Sequence, residues 1–138
     1  MADSYALAMQ KGLLSALKAN DGVKALVSTR IYDEPPQDVV FPYLRFNEIS
    51  PVVFDTDTTE GALVDVSFEA HSRSASGRVQ AVKIVEAVKN ALHRQGASVT
   101  VDGFNLVDLL FEAISATRDK DGRGYTAVIL FQAMLETA

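Results

Sequence analysis

Leu63-Val-Asp-Val-Ser-Phe-Glu-Ala-His-Ser72 decides the reading of this chain. Val64, Val66, Phe68 and Ala70 alternate with Asp65, Ser67, Glu69 and His71. A strict period of two marks a strand with one dry face and one wet face. After the polar run Ser72-Arg-Ser-Ala-Ser-Gly77 the period changes. Ala81, Ile84, Val85, Val88 and Leu92 fall at helical spacing, with Lys83, Glu86, Lys89, Asn90 and His93 opposite. A strand and a helix joined by a short polar turn fold back dry face to dry face. Burying Val85, Val88 and Leu92 contributes ~1.5–3 kcal/mol each before entropy is counted.

Working outward toward the N-terminus, Asp3 and Ser4 can cap a first helix. Ala6, Met9, Leu13, Ala16 and Leu17 form its apolar stripe, and Asn20-Asp-Gly22 stops it. Gly12 weakens that helix by ~1 kcal/mol relative to Ala. A helical turn is expected at Val23–Val27, then a short extended piece at Arg30–Asp33. Glu34-Pro-Pro-Gln37 can continue neither a helix nor a central strand. Phe41-Pro42 restarts the chain in extended form, and Tyr43–Ser50 reads as a strand with Leu44, Phe46 and Glu48 at the positions of one face. Pro51 to Gly61 reads as a break: a long hairpin tip or loop carrying Phe54, Asp55, Asp57 and Glu60.

Toward the C-terminus, Gly96 is expected to cap the central helix. Val99–Val101 is extended. Phe104–Arg118 carries two competing patterns. Leu106, Leu109, Leu110 and Ala113 suit a helix. Phe104, Leu106, Leu110, Ile114 and Ala116 suit a strand, with Asp108 and Glu112 as misfits. Strand is favoured for Leu109–Thr117. Arg118-Asp-Lys-Asp-Gly-Arg-Gly124 is a tight polar turn, and Tyr125–Glu136 is the last strand. Both faces of that strand are apolar, Val128/Leu130/Met134 on one and Ile129/Phe131/Leu135 on the other. It is therefore either a central strand or a strand whose outer face a partner covers.

The chain has 138 residues, 48% of them apolar and 22% charged, which suits one domain with one core spanning residues 1–138. It contains no cysteine. A disulfide framework, a thiolate metal site and a cysteine nucleophile are excluded, and the composition fits a reducing cytoplasm. The formal charge of −5, without any Lys/Arg block, argues against a nucleic-acid groove. No apolar run approaches the ~20 residues of a membrane span. The opening Met1-Ala-Asp-Ser-Tyr5 leads us to expect no secretory signal.

No motif supplies a catalytic set. Asp119-Lys-Asp-Gly122 invites a calcium reading, but Leu130 stands at the twelfth position, where an EF-hand needs Glu. Asp121-Gly122 as a hairpin turn is the plainer explanation. Asp55, Asp57 and Glu60 could hold a cation, yet a solvated loop tip suits them better. His71 and His93 lack a carboxylate or second histidine at zinc-motif spacing. Ser67, Ser72, Ser74 and Ser76 lack a G-x-S-x-G elbow. No P-loop or G-x-G-x-x-G is present.

The order of these features resembles a known family. A first helix precedes Arg30-Ile-Tyr-Asp33 and a proline turn. Phe41-Pro-Tyr43 opens a strand. His71-Ser-Arg-Ser74 is followed by Gly77-Arg78, which opens a helix ending Ala91-Leu-His93. Arg118-Asp-Lys-Asp-Gly-Arg-Gly-Tyr125 enters a final apolar strand. Over nearly its whole length the chain looks like the tail-completion or tail-terminator proteins of long-tailed phages and of phage-derived gene transfer agents. Ala70 departs from the pattern, standing where a bulkier residue often precedes the Ser-Arg turn.

The resemblance implies an α+β fold, with an antiparallel sheet of about four to five strands backed by two main helices. It implies a homohexameric ring that caps the tail tube, ends tail elongation and meets a head-side connector or adaptor. DNA would pass through the lumen without specific binding, which an acidic chain tolerates. It implies a virion protein at the head-proximal end of the tail, assembled in the host cytoplasm, with no cofactor and no enzymatic activity. The expected contacts are Phe54, Asp55, Asp57 and Glu60 in the tip, Arg118, Asp119 and Arg123 in the turn, and Val128, Leu130 and Met134 on the last strand. Two other readings stand beside it. One is a neighbouring neck adaptor. The other is a small ferredoxin-like domain that binds a ligand or catalyses a reaction, which needs a pocket of convergent polar groups.

Overall fold

The computed structural model describes residues 4–55 and 60–138. Asp3 and Asp57, both singled out above, lie outside the described residues. The fold is α+β, a five-stranded mixed sheet with three helices packed on one face. In chain order it runs α1 (Tyr5–Ala19), α2 (Asp21–Val27), β1 (Ile31–Tyr32), β2 (Tyr43–Asp55), β3 (Glu60–Ser72), α3 (Val79–Leu92), a 3-10 turn (Gly96–Ser98), β4 (Phe104–Arg118) and β5 (Tyr125–Thr137). The strand order is β1-β2-β3-β5-β4. The β1–β2 pair is parallel, and every other pair is antiparallel.

The strand-and-helix unit forms as its periodicity demands. Val64, Val66, Phe68 and Ala70 of β3 are buried, as are Ala81, Ile84, Val85, Val88 and Leu92 of α3. Met9, Leu13 and Leu17 of α1 join this core, but Ala8 replaces Ala6 and Ala16 in the fully buried stripe. Ser4 caps α1 by accepting from Leu7 N–H at 3.2 Å. Gly12 is there for space: a Cβ would collide with the Thr100 carbonyl, which crosses the helix at that point.

Three bulges reshape the expected strands. In β2 the register shifts between Phe46 and Glu48. Phe46 is buried and Glu48 is exposed, so Glu48 does not share the inner face with Leu44 and Phe46. In β4 the register shifts twice, between Leu106 and Asp108 and between Phe111 and Ala113. Inward positions therefore fall at Phe104, Leu106, Leu109, Phe111, Ile114 and Ala116, opposite inward residues of β5. Alternating steps of two and three imitate a helical stripe, and they turn Asp108 outward to pair with Met134.

Pro51 does not break the chain. β2 continues to Asp55 and pairs with β3 as far as Asp55↔Glu60. β1 pairs only with Leu44 and Arg45, so Pro51 lies on a free edge where its missing N–H leaves no ladder bond unmade. Gly96 does not cap α3 either. His93 is the C-terminal cap, and Arg94 adopts φ 57°. The helix end is tied to the edge strand: Arg94 N–H donates to the Leu109 carbonyl at 2.9 Å, and Phe111 N–H donates to His93 Nδ1 at 3.0 Å.

Candidate interaction surfaces

The helices cover one face of the sheet and leave the other open. Register fixes which side chains share that open face, since directly opposed residues point the same way. Across β2, β3, β5 and β4 the rows are Val52–Leu63–Met134–Asp108, Ser50–Asp65–Gln132–Leu110, Glu48–Ser67–Leu130–Ala113, Arg45–Glu69–Val128–Ser115 and Tyr43–His71–Thr126–Thr117. An apolar seam of Val52, Leu63, Met134, Leu110, Leu130 and Val128 therefore runs obliquely across the face. Leu130 is 39% exposed and Val52 65%. The last strand is central, between β3 and β4, and its second apolar face is nonetheless open. Among the described residues, the strand positions of this face carry Glu48, Asp65, Glu69, Asp108 and Glu136 against Arg45, with Arg73 at one end.

At one end of this face the family-like motifs converge. Arg30 Nε donates to the Pro42 carbonyl at 2.8 Å, beside the cis Phe41–Pro42 bond. Tyr43 stacks on His71, ring centroids 4.9 Å apart, and meets Phe41 at 5.2 Å and Tyr32 at 6.0 Å. The Arg73 guanidinium lies 4.2 Å over the Phe41 ring. His71 Nε2 is 3.1 Å from Glu69 Oε1. Thr126 Oγ1 lies 3.2 Å from His71 Nδ1 and donates to Asp119 Oδ1 at 2.6 Å. Arg45 Nε is shielded from solvent and makes no hydrogen bond, lying 3.8 Å from Glu69 Oε1. Burial, with help from the Glu69 and Asp119 carboxylates, pushes the Tyr43 phenol above its ordinary value of 10.0, while Arg45 and Arg73 pull the other way.

The turn beside this cluster is a true hairpin turn. Asp119 N–H donates to the Gly124 carbonyl at 2.8 Å, Gly122 takes φ 70°, and Asp121 Oδ1 accepts from Arg123 N–H at 2.9 Å. A Cβ on Gly124 would stand 2.6 Å from the Ser72 carbonyl, so the turn is pressed against the end of β3. Asp119 is thus an internal anchor, while Arg118 and Arg123 are exposed.

The opposite end is the β2–β3 tip. Phe54 is half-buried because its ring lies over Gly61, and Glu60 is exposed. Val52 and Val53 point to opposite faces, and both are well exposed, Val53 at 60%. Tip and turn lie at opposite ends of the sheet. The twelve steps of β3 between Glu60 and Ser72 span roughly 40 Å. Sequence reasoning missed Val52 and Val53, which it placed in a break, and Leu63 and Leu110, whose outward positions depend on register. It also missed the Tyr43–His71–Thr126 contact, which joins residues far apart in the chain.

The open face offers apolar surface rimmed by polar groups. Among the described residues no three of His, Asp and Glu converge as metal ligands. A groove of about 280 Å³ between α1 and the segment 98–102 is lined by Ala8, Lys11, Gly12, Ser15, Ala16, Ala19, Ser98, Thr100 and Asp102 and holds no histidine. No described helix is long and apolar enough to cross a membrane.

Comparison with known proteins points the same way as the motifs. The family model of tail completion protein gp17 matches residues 11–136. A chain from a virion of a native gene transfer agent particle has the same fold, with a TM-score of 0.84 and 27% identity over 96% of this chain and 99% of that one. The bacteriophage SPP1 gp17 protein shares the fold at a TM-score of 0.58 and 20% identity, over 93% of this chain and 88% of that one. A comparison with curated protein sequences finds no match.

Proposed function

Because this chain belongs to the tail completion protein gp17 family, we propose that it acts as a homohexameric ring that closes the head-proximal end of a tail tube. It is a structural component of a phage or gene transfer agent particle. In the proposed ring it ends tail elongation and joins the tube to a head-side connector, with DNA passing through the lumen. Assembly takes place in the host cytoplasm, and no cofactor takes part.

The observation that carries this reading is the open sheet face. A chain of 138 residues leaves Leu130 exposed on the central strand β5, beside half-buried Val128 and Met134 and, on the neighbouring strands, Leu63 and Leu110. Apolar surface of that kind, rimmed by polar groups, is what an assembly interface offers. The two ends add a second support. A ring with two sides needs one set of contacts for the tube and another for the head. The tip (Phe54, Asp55 and Glu60, with Asp57 in the undescribed segment) and the turn (Arg118, Asp119, Arg123) stand at opposite ends of the sheet.

The test is deletion of the gene from a particle-producing strain, followed by electron microscopy. Tails of uncontrolled length, separate from filled heads, are the expected result, with normal particles restored by the wild-type gene. Tails of normal length that fail to join heads would instead make the protein a neck adaptor. Normal particles would exclude both roles.

A further inference from the structure

The molecule is electrically two-sided. Among the described residues, the strand positions of the open sheet face have five carboxylates, Glu48, Asp65, Glu69, Asp108 and Glu136, against Arg45, with Arg73 at one end. The helical layer behind it has the reverse balance. Among the described residues of this layer, Lys11, Lys18 and Lys24 of α1 and α2, Lys83 and Lys89 of α3 and its N-cap Arg78 stand against Asp21 and Glu86, with Asp102 beside Lys11. On α3 this positive charge borders an apolar hollow of about 290 Å³ lined by Arg78, Val79, Val82, Lys83 and Glu86. Val79 is 50% exposed at the first turn of α3.

We infer that the open sheet face of one subunit receives the α3 outer face of the next, in a head-to-tail contact repeated around the ring. This rests on the ring reading and names its interface. The apolar parts match: Val79 and Val82 would meet the Leu130–Met134–Leu110 seam. The rims match in sign, with Arg78 and Lys83 against acids of the Asp65 and Asp108 rows. Glu86 is the one charge of the hollow that opposes the match. The two surfaces lie on opposite sides of one chain, so the contact cannot be satisfied within a two-fold dimer that buries one patch against itself. Contacts of two different patches propagate from subunit to subunit and close into a ring when the rotation permits.

Two charge reversals test this. One variant carries Arg78→Glu and Lys83→Glu, and the other carries Asp65→Lys and Asp108→Lys. All four residues are exposed, so both variants should unfold at the wild-type temperature. Mass is read by light scattering, with purified tail-tube protein present if the wild type needs it to assemble. Each variant alone should lose the ring, because like charges then face each other at every contact. An equimolar mixture should recover it. In an alternating ring the acidic helix of the first variant meets the basic sheet of the second, and the unaltered pair forms the next contact. Rings from either variant alone would overturn the inference while leaving the ring reading intact. Loss of the ring without recovery on mixing would also overturn it, and would assign one of these faces to the tube, the head-side partner or the lumen. A wild-type protein that never forms a ring, even on the tube, would remove the ring reading and this interface together.

Discussion

The two ends of the sheet solve the same problem in opposite ways. At the turn end, Phe41, Tyr43, His71, Arg73, Asp119 and Thr126 satisfy one another through ring contacts and hydrogen bonds, and Gly124 lets the turn press against Ser72. At the tip, β2 runs past Pro51 as the free edge of the sheet, with Val52 and Val53 exposed on its two faces and Phe54 lying over Gly61. β1 pairs only with Leu44 and Arg45, so no strand covers the outer edge of β2 here. The difference shows that one continuous sheet can combine a finished end with an unfinished one. In the proposed ring, a partner covers the unfinished end.

Changes to the shared core should affect both ends, and local changes should separate them. Val88→Asp, which puts a carboxylate among α3, β3 and β5, should cost several kcal/mol, on the order of 4, and leave little folded protein. Unchanged thermal unfolding of that variant would show that the core has been misassigned. Gly124→Ala should cost about 1–3 kcal/mol by overpacking against the Ser72 carbonyl. Denaturant unfolding should register the full loss, and a neutral result would mean that the turn is not pressed against β3.

His71→Ala sharpens the contrast. Loss of the Tyr43 stack and of the contacts with Glu69 and Thr126 should cost about 1–2 kcal/mol. Val53→Ser at the tip should stay within about 0.5 kcal/mol while weakening assembly. Equal costs for these two would erase the distinction between the ends.

A smaller effect comes from pH. The Tyr43 phenol is raised above 10.0 in the folded protein, so its contribution is complete below that value and is lost as pH rises through the folded pKa. Stability should therefore fall more steeply above pH ~10 in the wild type than in Tyr43→Phe. Parallel curves would show that the phenol titrates alike in folded and unfolded chains. The smallest effect on stability belongs to Arg118→Glu with Arg123→Glu. The fold should be untouched, and particle assembly should be impaired. Normal assembly would remove the turn from the interface.

The legible part of this fold was the part with an unbroken period. Val64 to Ala70 and Ala81 to Leu92 announced a strand and a helix because nothing interrupts two or 3.6. β4 was half-hidden because its bulges convert a period of two into alternating twos and threes. The stretch from Pro51 to Asp55 was misread because proline is a warning only where a neighbouring strand needs its N–H, and β1 stops short of it. Arg94 took the conformation expected of a glycine because contacts with Leu109 and Phe111 hold the helix end in place. For the candidate surfaces, Val128, Leu130 and Met134 could be named from one strand's double-sided pattern. Their neighbours Leu63 and Leu110 depend on register, and the charge contrast between the faces depends on topology.

The mass of the assembled wild-type protein, by light scattering after size exclusion, alone and with tail-tube protein, decides whether a ring forms. A ring of six is expected, formed alone or on the tube. A protein that stays monomeric and unbound with the tube present would contradict it.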